Sequence, residues 1–127
     1  MNRQVIVAPK APPALGPYSH AVVAGELVFT AGQVGLDPET RKLVEGGIQA
    51  QTRQALKNVA AILEAAGSSL ELVVKTTVFL QDMGDFAAMN AIYAEFFPQN
   101  APARSAVQVA ALPLGALVEI ETVALKK

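Results

Sequence analysis

Leu117-Val118-Glu119-Ile120-Glu121-Thr122-Val123-Ala124-Leu125 is the stretch on which the fold turns. Successive residues of a strand point to opposite sheet faces, so Val118, Ile120, Thr122 and Ala124 make one face. Leu117, Glu119, Glu121, Val123 and Leu125 make the other. The first set reads as a core face. The second mixes two acids with three aliphatics, a surface poorly matched to water alone, and is expected to lie against neighbouring subunits.

Working outward, Ser105 to Val109 forms the preceding strand, joined through a turn at Leu112-Pro113-Leu114-Gly115. Between Gly47 and Gly67, Ile48, Ala55, Leu56, Val59, Ile62, Leu63 and Ala66 recur at helical spacing. Gln49, Arg53, Gln54, Lys57 and Glu64 fill the other side of that helix, and Gly67 closes it. Val73 to Leu80 is rich in β-branched residues and reads as a strand partly buried on both faces. A second helix carries Phe86, Met89, Tyr93, Phe96 and Phe97 on one stripe, with Asp82 or Asp85 as its cap and Pro98 as its stop. Upstream, Ala21 to Ala24 and Leu27 to Ala31 pair as a hairpin across Gly25-Glu26, followed by a turn at Asp37-Pro38-Glu39-Thr40. Ala8 to Gly16, rich in proline and alanine, reads as an extended lead-in, with the core beginning after it. The expected class is α+β: one domain over residues 1–127, with a mixed sheet and two helices on one face.

Composition narrows the function. Hydrophobic residues make up 52% and charged residues 17% of 127 residues, an apolar excess that predicts a buried subunit interface. Ten basic residues against eleven acidic ones leave a net charge of -1, no footprint for nucleic acid. With no cysteine and one histidine, disulfides, thiolate nucleophiles and a zinc site are not expected. Met1 to Ala8 has no signal-like apolar run, and no segment reaches the ~18 apolar residues of a membrane helix, so a cytoplasmic setting is expected.

Among candidate residues, Arg104 stands out because Pro102, Ala103, Ala106 and Val107 around it are small or apolar. A guanidinium cannot discharge, so partial burial demands an anion, and its planar fork suits a carboxylate. That anion is either a ligand or Glu119 or Glu121 on the adjacent strand. Glu119 in a partly dry cleft would have a raised pKa and serve as an acid/base for water; otherwise it is an exposed strand carboxylate. Tyr18 offers a hydroxyl, a ring wall or a loop anchor. Asn90 lies off the apolar stripe, where a solvent-facing or capping role is the default. Ser19 and His20 are adjacent and make no triad. Gly32, Gly35, Gly46 and Gly47 lack a phosphate-loop pattern and read as turn glycines.

Taken together, Gly16-Pro17-Tyr18-Ser19, Phe29-Thr30-Ala31-Gly32-Gln33, Val74-Lys75-Thr76-Thr77-Val78, Asn90-Ala91-Ile92-Tyr93, Pro102-Ala103-Arg104-Ser105 and Val118-Glu119-Ile120-Glu121 resemble the reactive intermediate deaminase (Rid, YjgF-type) family, nearly end to end. The resemblance implies a chorismate-mutase-like α+β fold, a homotrimer with a central barrel, and clefts between subunits. It implies hydrolysis of 2-imino and 2-enamino acids, such as 2-iminobutanoate and 2-iminopropanoate, to 2-oxo acids and ammonia. No cofactor is implied; pyridoxal phosphate belongs to upstream enzymes such as threonine dehydratase. By position, Arg104 matches the residue that holds the substrate carboxylate and Glu119 the acid that orients water. Tyr18, Gly32 and Asn90 match other lining residues, and the Ala106 carbonyl accepts from the substrate nitrogen. Two positions depart from the pattern: Ala31 stands where Ser is frequent and Ala106 where Cys is frequent, which bears on rate and substrate preference. Two rivals accompany this reading, a ribonuclease and a non-catalytic ligand-binding or chaperone-like trimer. Ribonuclease chemistry is disfavoured by one histidine and a negative charge.

Overall fold

In the computed structural model, which describes residues 2–127, the sheet starts earlier than the patterning predicts. β1 (Arg3–Ile6) pairs antiparallel with β2 (Ala21–Ala24), which turns through Gly25-Glu26 into β3 (Leu27–Thr30) as the expected hairpin. Three of four β1 residues are exposed, so no alternation advertises the strand. The expectation that the core begins after Gly16 is also corrected, because Ala8 and Ala11 are buried in the main hydrophobic cluster. Small side chains on a proline-rich segment pack without the periodicity that sequence reading relies on.

The remaining elements are β4 (Gln33–Val34), α1 (Gly47–Ala65), β5 (Val73–Leu80), α2 (Phe86–Phe96), β6 (Ala103–Gln108) and β7 (Val118–Leu125). Strand order is β1-β2-β3-β7-β5-β6, with β4 beside β7. Only β5 and β6 run parallel, joined by the α2 crossover, so the sheet is mixed and the class is α+β as read. β4 escaped the sequence reading because two residues carry no period.

Local chemistry explains the helix ends. The Gly67 N–H bonds the Glu64 carbonyl at 3.1 Å and the Ser68 N–H bonds the Leu63 carbonyl at 2.8 Å, while Gly67 sits at φ 78°. That is a Schellman closure, and only glycine takes that backbone without strain. Ahead of α2, Asp82 caps the short 3-10 turn Met83–Asp85 by accepting from the Gly84 N–H at 2.7 Å, while Asp85, at the N-cap position of α2 itself, makes no side-chain cap bond, so the expected aspartate cap of that helix is corrected.

Ala55, Leu56, Val59, Ile62 and Leu63 of α1 pack on Val28, Val78, Val118, Ile120 and Ala124 of the sheet. Burying each large aliphatic contributes about 1.5–3 kcal/mol. The helices therefore cover the face of β7 assigned to the core. Across the opposite face, register aligns Val5, Val22, Phe29 and Val123 in one apolar row. Val5 remains 49% and Phe29 43% exposed there.

Three polar residues of α1 are buried as well. The Asn58 amide donates to the Val34 and Leu36 carbonyls at 3.2 and 2.9 Å, and Gln51 Oε1 accepts from the Leu117 N–H at 2.9 Å. Thr52 Oγ1, also buried, has no hydrogen-bond partner among the described residues. Asn58 and Gln51 tie β4 and the start of β7 to the helix, fixing the segment from which Glu119 projects.

Candidate active site

Strand register separates the candidate residues into two groups. Arg104 is level with Thr76 and Thr122, and Ala106 with Val78 and Ile120, so both lie on the helix side of the sheet. Glu119 is level with Phe79 and Val107 and points to the other side. β6 borders β5 rather than β7, so neither Glu119 nor Glu121 is on the strand adjacent to Arg104. The ion pair of Arg104 with either acid does not form within the chain. Among the described residues the salt bridge is Arg53–Glu95, at the surface.

Arg104 instead rests in a cradle built by α2. Its guanidinium lies 4.7 Å from the Tyr93 ring centroid and 5.3 Å from that of Phe86, and Nη1 donates to Asn90 Oδ1 at 2.7 Å. Such stacking suits a weakly hydrated planar cation. Asn90 thus departs from its default reading, since it is half-buried and occupied by the arginine. The Tyr93 hydroxyl in turn pairs with Thr76 Oγ1 at 2.7 Å, in a buried position directly beside Arg104 in the strand register. Burial pushes the Tyr93 phenol above its ordinary range, against the opposing pulls of the Thr76 bond and the Arg104 charge. None of these bonds uses Nη2 or Nε.

The second group surrounds a small cavity of about 50 Å³ whose wall includes Pro12, Pro13, Tyr18, Gly32 and Glu119. Burial first, and the Glu121 charge second, raise the Glu119 carboxyl above its usual range. Gly32 lies against this side chain: a Cβ there would stand 2.8 Å from Glu119 Cδ and 2.9 Å from Cγ. The turn reading of Gly32 and Gly35 is therefore corrected, since neither has a positive φ. Both are close-approach glycines: a Cβ on Gly35 would stand 2.7 Å from the Gln51 Cα and 2.8 Å from its carbonyl oxygen. Gly46 and Gly47 do carry positive φ, at the start of α1. Tyr18 is 47% exposed, and its hydroxyl accepts from the Leu15 N–H at 3.1 Å. Ala31, next to Gly32, presents no side-chain hydroxyl and donates its N–H to the His20 carbonyl at 2.8 Å.

His20, read from the sequence only as no catalytic partner for Ser19, has a role the sequence does not show. It is buried, Nδ1 accepts from the Ala8 N–H at 2.8 Å, and Nε2 lies 2.8 Å from the Pro12 carbonyl. Both nitrogens are thus spent on backbone, and the ring makes no catalytic pair with Ser19. Among the described residues, no group of three His, Cys, Asp or Glu side chains could hold a metal ion. No helix there is long and apolar enough to cross a membrane.

A mixed sheet with two helices on one face, a cradled guanidinium on that side and a half-buried carboxyl with a raised pKa on the other define a small α+β protein of the YjgF architecture. The chain belongs to the Rid (RidA/YjgF-type) family: the model of that family, described as Endoribonuclease L-PSP, matches residues 8–126. A RutC family protein of Pyrococcus horikoshii is 53% identical, the alignment covering 98% of this chain and 99% of the relative. The 2-iminobutanoate/2-iminopropanoate deaminase of Homo sapiens is 51% identical over 98% of this chain and 90% of its own length. The crystal structure of E. coli TdcF with bound serine superposes with a TM-score of 0.93 at 42% identity, covering 98% of this chain and 99% of that one.

Proposed function

We propose that this protein is a cofactor-independent 2-iminobutanoate/2-iminopropanoate deaminase, a cytoplasmic homotrimer in which residues 1–127 act as one domain. One observation carries the reading: the cation suited to a carboxylate and the acid suited to handling water stand on opposite faces of one sheet. Two copies brought together would complete a site that a single chain divides. The apolar row Val5-Val22-Phe29-Val123 and the unpaired outer edge of β6 supply surface for that association. Relatives about half identical in sequence bear the deaminase name, which selects the chemistry.

In this reading, the free edge of the Arg104 guanidinium takes the substrate carboxylate while Asn90 and Tyr93 hold its orientation. That places the imine carbon toward Glu119 of a neighbouring copy, with Tyr18 and Gly32 lining the cleft. The Ala106 carbonyl receives the substrate N–H. Water adds to the imine carbon, Glu119 taking one proton and passing it to nitrogen to give the neutral carbinolamine; Glu119 then moves the hydroxyl proton to nitrogen as the C–N bond breaks, leaving the 2-oxo acid and ammonia and the carboxylate regenerated. A raised carboxyl suits both halves of that cycle. Pyridoxal-phosphate enzymes that discharge imino acids are the expected suppliers. The ribonuclease reading loses ground, because the one histidine has both ring nitrogens bonded to backbone.

The test is a coupled assay on freshly generated 2-iminobutanoate, with ammonia release accelerated over the uncatalysed rate. Light scattering should give the mass of three chains. No acceleration, or a monodisperse mass of one or two chains, would overturn the proposal.

A further inference from the structure

The chain from Ala8 to Tyr18 crosses the molecule as a strap whose buried members Ala8, Ala11 and Pro12 pack inward while Pro12, Pro13, Leu15 and Tyr18 wall the Glu119 cavity. Prolines at 9, 12, 13 and 17 remove four N–H donors, so the strap cannot join the sheet ladder. Its internal bonds are Ala11 N–H to the Ala8 carbonyl, Tyr18 N–H to the Gly16 carbonyl and Leu15 N–H to the Tyr18 hydroxyl. Among the described residues, the only hydrogen bonds that leave the strap are the two to His20. His20 stands at the head of β2, and its own carbonyl is held by the Ala31 N–H, one residue from Gly32.

Donor chemistry fixes the ring. A backbone N–H can only donate and a carbonyl can only accept, so Nδ1 is bare and Nε2 carries the proton. We infer that His20 is a positioning residue for the acid half of the site: as the Nε2–H tautomer it clasps the strap so that Pro12, Pro13 and Tyr18 close around Glu119. This rests on the deaminase reading for its catalytic consequence, but the clasp itself does not.

Because the chain has one histidine, its imidazole nitrogens can be assigned without ambiguity by NMR in the intact protein. In the folded protein Nε2 should carry the proton and Nδ1 should be bare, and the Ala8 amide should be protected from hydrogen exchange. His20→Leu, which removes both bonds, should lower kcat roughly tenfold or more by loosening the cavity wall. Binding of 2-oxobutanoate, anchored by Arg104, should change less than twofold. His20→Gln, whose amide again offers an acceptor and a donor, should restore most of kcat and the Ala8 protection. A proton on Nδ1, an unprotected Ala8 amide, or His20→Leu within twofold of the parent would each overturn the inference. So would equal losses of binding and turnover that glutamine leaves unrepaired. Should His20→Leu fail to fold, the glutamine variant and the NMR assignment still decide. A parent without imine hydrolysis would remove the deaminase reading alone, since tautomer and exchange are measured independently of activity.

Discussion

The cation half and the acid half of the site are built by different means. Arg104 rises from a regular strand and is held by side chains of a regular helix, through two aromatic rings and one hydrogen bond. Glu119 also projects from a strand, but its surroundings are a glycine, prolines and an irregular strap. A guanidinium needs fixed direction, which packed side chains supply. A carboxyl that must gain and lose a proton needs a dry, close wall, which backbone supplies when side chains are absent or cyclic. Changes that act on a functional group should therefore cost more than changes that act on its support.

The largest effect is expected from Glu119→Gln, which keeps the shape but cannot exchange a proton. Its kcat should fall by roughly 10²- to 10⁴-fold, with 2-oxobutanoate binding nearly unchanged. Glu121→Gln is the control, on the same strand face two residues on and more exposed. Equal losses in both variants would remove Glu119 from the water-handling role and leave the acid half merely electrostatic.

Next in size is Arg104→Lys. The charge is retained, but an ammonium cannot offer a planar two-pronged edge while stacked on Tyr93 and bonded to Asn90. Loss of that geometry should weaken 2-oxobutanoate binding and lower kcat/KM about 30- to 100-fold, roughly 2–3 kcal/mol, with oligomeric mass unchanged. Activity within twofold of the parent would make the aromatic cradle structural and place the substrate anchor elsewhere.

The two halves were also unequally legible in the sequence. Periodicity exposed both helices and β7, because a buried face repeats at 3.6 or 2 residues; the same alternation put Glu119 on the open face. Arg104 stood out because its neighbours are apolar. What periodicity cannot carry is the strap, with β1 and β4, where packing follows from proline and small residues or where the run is too short. His20 was unreadable for a related reason: its partners are backbone atoms 12 and 8 residues away, and a backbone partner leaves no mark in the sequence. The relation of Arg104 to Glu119 depended on which strands are neighbours, a property of topology rather than of either strand.

Gly32 and Gly35, identical in sequence reading, should part company on substitution. Gly32→Ala would meet the Glu119 side chain, which can rotate aside, so stability should change little while kcat falls about tenfold through a displaced carboxyl. Gly35→Ala would meet the backbone of Gln51, which cannot yield without moving α1, and should cost about 1–3 kcal/mol of stability. Thermal melts and steady-state kinetics on both variants separate the outcomes. A Gly32→Ala protein with parental turnover would show that Glu119 tolerates displacement.

The smallest effect concerns stability against pH. Burial, and then the Glu121 charge, hold the Glu119 carboxyl above its ordinary range, so the folded chain keeps a proton that the unfolded chain has lost. Between the unfolded and folded pKa values the folded state binds more protons, and stability falls as pH rises through that window. Above it the desolvation penalty is complete; below the ordinary carboxylate range it vanishes. Glu119→Gln removes the ionising group, so its melting temperature should exceed that of the parent at neutral pH and converge with it below about pH 4. For a half-exposed carboxyl the difference should be about 1 kcal/mol or less. The opposite sign, a parent more stable than Glu119→Gln at neutral pH and losing that margin in acid, would mean that the ionised form is the one stabilised. A cation must then face Glu119 in the assembled protein, and since the chain's own Arg104 points away from it, that cation would come from another copy.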